Sequence, residues 1–364
     1  MNRSYTINNN LLYFGFNQNC SCFCIGTEKG FTIYKSIPLN DHYTKELNGG
    51  IGIISMFNNS NILALVGGGK RPYSSLNKLI IYNDATSKQL CEIEVESKIL
   101  DIKIKNSLIV IIMKKKIKLY YYDSLENILN YKNIDNIDTP DNRSGILGLN
   151  LNPDINIISY ISKKIGEIII KIYDKVNIYE ELKYKIKKIS AHQSEITYMT
   201  LNYQGDILAS CSEKGTIIRL FSVKNGNLLK ELRRGTDYAE IYSLNFDKNS
   251  HYLICGSSKG TIHIFNIKEN EGVKNPKSFL SSIGSYLNIQ NDYLKNEWSF
   301  AQFHIESKGK YITNFVGDNN IFVILTNDGL YYRVKYNPST GEECKILQQE
   351  KYLFIEAKDD DFLF

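Results

Sequence analysis

The sequence predicts an all-β fold, a seven-bladed β-propeller of four-stranded antiparallel blades. Three observations predict it. A short strand of alternating apolar residues that follows a turn residue recurs seven times along the 364 residues. Successive copies lie about 40 to 50 residues apart, which is the period of a four-stranded blade. Most copies also follow another apolar strand, so residues 1–364 are interpreted as a single propeller domain.

The recurring strands share a turn residue, often glycine, at their start, and none of them buries its apolar faces alone. They are KGFTIYK (29–35), NKLIIYND (77–84), KKIKLYYYD (115–123), GEIIIKIYD (166–174), GTIIRLFSV (215–223), GTIHIFNI (260–267) and DGLYYRVKY (328–336). The copies do not end in a Trp-Asp dipeptide, so the likeness to WD40 repeats rests on the period. Seven copies predict seven blades.

One interval breaks the period, because about 69 residues separate Gly260 from Gly329. Blade spacing leaves roughly 20 extra residues there, which predicts an insertion in blade six at about 268–298. Blade strand should resume near Trp298. Apolar residues with partly helical spacing run through the insertion, as in a segment that lies on a membrane. The predicted membrane-inserting residues are Phe279, Leu280, Ile283, Tyr286 and Leu287.

The composition limits the class of protein. With 43% hydrophobic and 23% charged residues, the chain has enough apolar content for a large folded core. A net charge of +5 is small for a protein that coats nucleic acid. The seven cysteines and the absence of a basic-then-apolar leader favour reduced thiols in the cytoplasm. Apolar runs such as Leu108–Met113 are far shorter than the ~20 residues that span a bilayer, so membrane contact should be peripheral.

Two adjacent arginines, Arg233 and Arg234, are followed at once by Gly235. Neighbouring side chains of an extended segment point to opposite sides, so the two guanidinium groups should serve two different pockets. We expect Gly235 to allow a sharp turn or a close backbone approach. The alternative is that both arginines only cap carboxylates at a blade edge.

The residues on either side of the arginines form two similar sets. Both sets contain the pattern S-x-K-G-T-I with a basic residue after it, in ASCSEKGTIIRLF and in CGSSKGTIHIF. Hydroxyl groups, a histidine and an arginine around one concavity bind phosphate through charge-assisted hydrogen bonds. The upstream set is His192, Ser210, Ser212, Thr216 and Arg219, and the downstream set is Ser257, Thr261 and His263. We predict two anion pockets, while His42, His251 and His304 receive no functional role.

The L-R-R-G stretch and its flanks resemble the PROPPINs, β-propellers that bind polyphosphoinositides. In that family the motif reads F-R-R-G or L-R-R-G. Two further stretches resemble the first and second PROPPIN blades, namely FNQNCSCFCIGTEKGFTIYK and ILALVGGGKRPYSSLNKLIIYND. The resemblance runs from about residue 11 to 336 and is weakest in blades three and four. Leu232 departs from the commoner phenylalanine, which should alter packing more than lipid choice.

The resemblance implies two lipid sites for phosphatidylinositol 3-phosphate and phosphatidylinositol 3,5-bisphosphate. The first comprises His192, Ser210, Ser212, Gly215, Thr216, Arg219 and Arg233, and the second comprises Arg234, Ser257, Gly260, Thr261 and His263. The insertion would be the membrane-inserting loop between the last two strands of blade six. The implied role is that of a peripheral effector in autophagy-related membrane traffic, monomeric in solution and recruited to autophagosomal, endosomal or vacuole-like membranes.

A possible partner site is Lys70, Arg71 and Pro72, within the glycine-rich VGGGKRPYSS. This stretch lacks the G-K-[ST] ending and the following helix of a nucleotide loop, and no cofactor is expected. In PROPPINs this loop side helps to dock partner proteins. The implied partner is an autophagy lipid-transfer protein or a protein of the conjugation machinery.

The remaining motifs favour structural roles. Cys20, Cys22 and Cys24 alternate along one predicted strand and do not converge as zinc ligands do, so we expect them to pack in the core. The lysine stretches at 114–118 and 183–188 are interpreted as solvated strand edges, with added membrane attraction as the alternative. No catalytic constellation is recognisable, and we predict a non-enzyme. The competing class is a protein-interaction scaffold without lipid binding, and a nucleic-acid binder is a distant third.

Overall fold

The structure is a computed structural model that describes residues 11–39, 42–122, 128, 130–174, 182–268, 274–276, 297–307, 309–317, 320–341 and 344–353. Over these ranges the chain forms seven blades, each a sheet of four antiparallel strands, which confirms the predicted propeller. No helix in the described ranges is long and apolar enough to cross a bilayer.

The first four blades use sixteen consecutive strands. Blade one contains β1 (Leu11–Phe16), β2 (Cys22–Thr27), β3 (Gly30–Lys35) and β4 (His42–Glu46). Blade two contains β5 (Ile51–Met56), β6 (Ile62–Gly67), β7 (Lys78–Asn83) and β8 (Lys88–Glu94). Blade three contains β9 (Ile99–Lys105), β10 (Leu108–Met113), β11 (Lys116–Tyr122) and β12 (Tyr131–Asp138). Blade four contains β13 (Leu147–Leu149), β14 (Asn156–Ile161), β15 (Glu167–Tyr173) and β16 (Tyr184–Ser190).

The last three blades carry the candidate site. Blade five contains β17 (Ile196–Leu201), β18 (Ile207–Ser212), β19 (Ile217–Ser222) and β20 (Leu228–Arg233). Blade six contains β21 (Ile241–Phe246), β22 (Tyr252–Ser257), β23 (Thr261–Asn266) and β25 (Ala301–His304). Blade seven contains β26 (Tyr311–Phe315), β27 (Ile321–Thr326), β28 (Leu330–Lys335) and β29 (Lys345–Lys351). The seven predicted recurring strands are the third strand of each blade.

The second strands of the blades are the most buried, because a neighbouring blade covers each face of the sheet. All six residues of β6 and all six of β10 are buried. Continuous apolar runs such as LIVIIM are the sequence signature of this environment. The first strands surround a central cavity of about 450 Å³.

Blades one and seven close the ring by side-chain packing, since each is built from its own consecutive strands. The Tyr34 hydroxyl donates to the Tyr352 carbonyl oxygen at 2.7 Å, and the Phe23 and Tyr34 rings stack with centroids 4.7 Å apart. Tyr331 donates its hydroxyl proton to the Ser36 carbonyl oxygen. These buried aromatic contacts hold the two ends of the blade array together.

Side-chain amides join the turns that connect first and second strands of successive blades. The Asn58 amide donates to the Asn106 side chain at 2.9 Å, and the Asn150 amide donates to the Asn202 carbonyl oxygen at 2.6 Å. Asn202 in turn donates to the Ser250 hydroxyl at 2.9 Å. Asparagine suits these turns because its amide satisfies backbone and side-chain groups of a neighbouring turn.

The three N-terminal cysteines lie near β2. Cys20 and Cys24 are buried in the core, as predicted, and Cys22 is half-buried. Burial raises the pKa of the Cys20 and Cys24 thiols to about 12. Cys20 precedes the strand in a turn with φ of 57° instead of continuing the alternation of Cys22 and Cys24.

The insertion connects the third and fourth strands of blade six, as predicted, because β23 ends at Asn266 and β25 begins at Ala301. The next described strand is β24 (Glu297–Trp298), which pairs in parallel with the outer strand of blade five. The predicted membrane-inserting residues Phe279, Leu280, Ile283, Tyr286 and Leu287 lie outside the described residues.

Candidate functional site

Two tight turns in blades five and six begin the candidate site. Gly215 lies in the β18–β19 turn with φ of +62°, and Gly260 lies in the β22–β23 turn with φ of +74°. Both conformations favour glycine. A Cβ atom at Gly215 would also lie 1.9 Å from the Ala239 carbonyl oxygen. The two S-x-K-G-T-I copies therefore need glycine at the same place for backbone reasons.

The two turns differ by one residue, and this difference aligns the basic residues that follow them. Ser210 is opposite Arg219 in blade five, and Cys255 is opposite His263 in blade six. Arg219 lies three residues after its threonine, whereas His263 lies two residues after its own. The longer turn of blade five absorbs the extra residue, so Arg219 and His263 take equivalent places in their sheets.

The first neighbourhood lies between blades four and five and contains His192, Ser210, Arg219 and Glu231. Nε2 of His192 lies 3.0 Å from the Ser210 hydroxyl. Arg219 donates from Nε to Glu231 at 2.6 Å and from Nη1 to the Ala191 carbonyl oxygen at 2.7 Å. Burial, followed by the Arg219 charge, lowers the pKa of His192 to about 4. The histidine is therefore neutral at pH 7, and the Arg219 side chain is still 29% exposed.

Arg233 is the last residue of β20, opposite Ile217 and beside Trp298 of β24. Alternation along the strand puts its side chain on the same face as Glu231, the face of the first neighbourhood. Its Nη1 lies 3.5 Å from the Gly235 carbonyl oxygen, and 8% of the residue is exposed.

Arg234 lies on the other side of the strand and is held by backbone carbonyl groups. Its Nε donates to the Gly215 carbonyl oxygen at 2.9 Å, and its Nη2 donates to that of Asp237. Only 4% of the residue is exposed, and burial lowers the pKa of its guanidinium group. The positive charge of Arg234 helps to lower the pKa of His263 in blade six. The two arginines thus diverge.

The second neighbourhood comprises Arg234, Ser257, His263 and Ser299. His263 is 6% exposed, and its Nδ1 lies 2.9 Å from the Ser299 hydroxyl. Burial, followed by the Arg234 charge, lowers the pKa of His263 to about 4. Ser257 is fully buried, and its hydroxyl oxygen has no hydrogen-bond partner among the described residues. An orphaned buried hydroxyl costs free energy unless a ligand or water satisfies it.

The remaining predicted site residues border the two neighbourhoods. Ser212 and Thr216 are half-buried, and the Thr216 carbonyl oxygen accepts the Arg234 backbone N–H at 2.9 Å. The Thr261 hydroxyl lies 3.4 Å from Nδ1 of His304, a histidine to which the sequence analysis gave no role. The structure thus gathers the two predicted sets on either side of the arginine pair.

The close backbone approach expected at Gly235 is wrong. Its φ lies outside the left-handed region, and a Cβ atom there would meet no described atom within 4 Å. Among the described residues the position has open space beside it, and the chain bends directly afterwards at Thr236 and Asp237. Tyr238, three residues later, is 62% exposed.

Sequence reasoning missed Glu231, Ser299 and Tyr238. Hairpin register placed Glu231 opposite Arg219, so pairing of strands would have found it. Ser299 lies 36 residues from His263, beyond the insertion, and no local signal connects the two residues. Tyr238 follows the motif directly, but its exposure depends on how the connection to blade six folds.

The predicted partner site lies on the connection between the second and third strands of blade two. Both carboxylate oxygens of Glu28 accept the Lys70 backbone N–H, the nearer at 2.9 Å. Gly50 donates its N–H to the Arg71 carbonyl oxygen at 2.8 Å and forms a bridge with Pro72. The backbone is fixed on blades one and two, and the side chains of Lys70, Arg71 and Pro72 are exposed.

Over the part of the chain that the structure describes, no group of three or more histidine, cysteine or carboxylate residues is arranged to hold a metal ion. Apart from the Glu231 carboxylate, the site residues gathered around the arginine pair are cationic groups, hydroxyls and neutral imidazoles. Such groups donate hydrogen bonds to an anion.

Comparison with known proteins gives consistent matches. The PROPPIN family model matches residues 10–349. SVP1-like protein 2 of Pichia angusta is 31% identical over 319 residues, covering 85% of this chain and 86% of its own length. Autophagy-related protein 18 of Dictyostelium discoideum is 28% identical over 383 residues, covering 99% of this chain and 98% of its own length. The solved structure of Kluyveromyces lactis Hsv2 shares the fold, with a TM-score of 0.74 and 22% identity. The match covers 94% of this chain and 99% of the Hsv2 chain.

Proposed function

The chain belongs to the PROPPIN family, and we propose that it binds phosphatidylinositol 3-phosphate and phosphatidylinositol 3,5-bisphosphate through two headgroup sites. Membership gives a general role in phosphoinositide binding and autophagy. PROPPIN propellers are of a lipid-binding or scaffolding kind, and no enzymatic step enters the proposal.

The observation that carries the proposal is the divergence of Arg233 and Arg234 to opposite sides of β20. Arg233 lies on the face of β20 that carries Glu231, the partner of Arg219, whereas burial and the Arg234 charge lower the pKa of His263 on the other side. No described atom lies within 4 Å of a Cβ atom placed on Gly235, which leaves space for a headgroup to approach the arginine pair from this side. Arginine forks bind phosphate oxygens with two parallel hydrogen bonds, which supports phosphomonoesters as ligands.

We assign the proposed sites as the sequence predicted them. The first site comprises His192, Ser210, Ser212, Gly215, Thr216, Arg219 and Arg233, and the second comprises Arg234, Ser257, Gly260, Thr261 and His263. The orphaned hydroxyl of Ser257 supports the second site, because a headgroup oxygen or a water would satisfy it. Glu231 competes with a phosphate for Arg219 in the first site.

The membrane-inserting loop at about 268–298 remains part of the proposal. Its position between the last two strands of blade six supports this role, because β24 anchors its end beside Arg233. Two modest headgroup sites and an inserted loop would bind a membrane with high avidity. The protein would then be a monomer recruited from the cytoplasm to autophagosomal, endosomal or vacuole-like membranes, with Lys70, Arg71 and Pro72 meeting an autophagy lipid-transfer or conjugation protein.

Co-sedimentation with vesicles tests the proposal. Replacing Arg233→Thr and Arg234→Thr together should abolish binding to vesicles that contain phosphatidylinositol 3-phosphate. Lys88→Thr with Arg143→Thr removes the same charge from exposed positions on other blades and should leave binding intact. Because Arg234 is buried, circular dichroism and the single Arg233→Thr variant must accompany the pair.

Retained, lipid-specific sedimentation of the folded double variant contradicts the two-site proposal. If the wild-type protein binds vesicles with and without the 3-phosphate equally, the result favours the second candidate, a propeller scaffold. The exposed side chains of Lys70 and Arg71 on a fixed backbone are the observation that supports that candidate.

A further inference from the structure

The outer strands of blades four and five both end at the first neighbourhood. β16 ends at Ser190, two residues before His192, and β20 ends at Arg233. The two blades adjoin where the β19–β20 turn meets β16, because a Cβ atom on Gly226 would lie 3.5 Å from Cγ1 of Ile189. We call residues 183–188 with Leu228 and Leu229 the blade four–five rim.

The described part of the rim is rich in lysine, while Glu180 and Glu181, which precede it, lie outside the described residues. Residues 182–190 contain four lysines and no acidic residue. None of the four ammonium groups forms an ion pair or hydrogen bond with a described residue. The lysines are Lys183, Lys185, Lys187 and Lys188. On blade two, by contrast, Lys78 lies 2.9 Å from Glu92 and 3.5 Å from Glu94.

Large apolar side chains are exposed between these lysines. Tyr184 is 48% exposed, Ile186 is 49% exposed, and Leu228 and Leu229 are each 50% exposed. Protection of a free strand edge explains lysines, but exposed isoleucine and leucine work against that protection. Alternation along β16 puts Lys185 and Lys187 on one face and Tyr184, Ile186 and Lys188 on the other, so the edge of this outer strand presents basic and apolar side chains together. Lysine stems can cover apolar surface while their ammonium groups reach anionic headgroups.

We propose that the blade four–five rim is a third membrane contact, which binds anionic lipid without regard to the phosphoinositide. The inference rests on the proposed function, since it needs a headgroup in the first site. Lys188 lies four residues before His192, about 13 Å along an extended strand. A bilayer held at His192 is therefore close enough for the rim lysines to meet its phosphatidylserine headgroups.

Binding to vesicles of two compositions tests the charge. One contains phosphatidylinositol 3-phosphate in neutral lipid, and the other adds phosphatidylserine. Lys185→Glu with Lys188→Glu should lower affinity for the second vesicle at least about tenfold, since each basic residue near an anionic surface contributes severalfold. Binding to the first should change little. Lys88→Glu with Lys345→Glu makes the same charge change on the outer strands of blades two and seven and should have a much smaller effect.

A second pair of variants tests the apolar part. Ile186→Ser with Leu228→Ser should weaken binding to the phosphatidylserine vesicle a few fold. Ile346→Ser with Leu347→Ser removes two similarly exposed residues from blade seven and should not. Equal effects of rim and control variants, or none from the rim, overturn the proposal. So does a concentration-dependent dimer that only the rim variants lose, because the rim would then pair two copies.

The vesicle without phosphatidylserine separates this inference from the proposed function. If wild-type protein fails to bind that vesicle, the headgroup sites are in doubt. If it binds there but gains nothing from phosphatidylserine, only the rim contact is wrong.

Discussion

The first and second neighbourhoods derive from the same sequence pattern yet differ in how they hold their arginines. In the first, Arg219 is 29% exposed and its charge is balanced by Glu231 at 2.6 Å. In the second, Arg234 is 4% exposed and is held by two backbone carbonyl groups. A repeated motif therefore builds one neighbourhood around a partly exposed arginine paired with a carboxylate and one around a buried arginine held by backbone carbonyl groups.

The neighbours explain the difference. Tyr311 of blade seven covers the second neighbourhood, where its hydroxyl bonds the Ser257 N–H at 2.9 Å and the Ser257 carbonyl oxygen at 2.8 Å. Ser299 closes it from the end of the insertion. A headgroup should enter the first site without rearrangement, whereas the second site requires movement of the segment around Asp237.

The largest expected difference between the two neighbourhoods is the loss of stability when the arginine of each is replaced. Arg234→Met leaves the Gly215 and Asp237 carbonyl groups buried without their guanidinium donor. We expect the free energy of unfolding to fall by about 2 to 4 kcal/mol. Arg219→Met removes a partly exposed ion pair and one bond to the Ala191 carbonyl oxygen, and should cost less, about 1 to 2 kcal/mol. Urea unfolding at pH 7 measures both, and equal losses would show that the neighbourhoods are equally closed.

Acid should act on both neighbourhoods through their histidines. The pKa values of His192 and His263 fall from 6.5 to about 4 in the folded state. The folded protein therefore binds fewer protons than the unfolded chain between these values. This contribution to stability is present above pH 6.5 and is lost as the pH falls towards 4. At pH 5 the loss should be about 1 to 2 kcal/mol for each histidine.

Glutamine variants assign the acid effect. His192→Gln and His263→Gln should each make the free energy of unfolding less sensitive to pH between 7 and 5, as measured by urea titrations at both values. His192 faces the half-exposed Arg219, whereas His263 faces the buried Arg234. A pH dependence unchanged by either substitution would mean that neither imidazole is held neutral by the fold.

The fold could be predicted from the sequence because its signal is local and repeated. Each recurring strand follows a turn and alternates in polarity, and the structure makes each of them the third strand of a blade. The insertion was visible as an excess in the interval between Gly260 and Gly329. The parallel pairing of Trp298 with Arg233 could not be predicted, because a strand of two residues has no sequence pattern that indicates its partner strand.

The site could be predicted only in part. Strand alternation anticipated that Arg233 and Arg234 diverge, because that rule needs no tertiary information. Closure of the second neighbourhood depends on Tyr311, which is 54 residues from Ser257. The open space at Gly235 likewise depends on what packs around the connection. Contacts of this kind have no local signature in one sequence.

The smallest expected effect concerns Glu231, the acid that distinguishes the first neighbourhood from the second. Glu231→Gln keeps the size of the side chain but removes the charge beside Arg219, 2.6 Å away. The first neighbourhood then gains one positive charge and resembles the second. Affinity for vesicles with phosphatidylinositol 3-phosphate should rise about three- to fivefold at low salt, and the gain should shrink as salt screens it.

Glu92→Gln is the matched control, because Glu92 pairs with Lys78 at 2.9 Å on an equivalent outer strand of blade two. Both substitutions should change the free energy of unfolding only slightly, as expected for ion pairs that water reaches. Only Glu231→Gln should tighten vesicle binding. If both variants tighten it equally, the overall charge decides affinity, and Arg219 has no special place in the first site. If neither does, the ion pair already opens at no cost when a headgroup arrives, and the two neighbourhoods differ in burial alone.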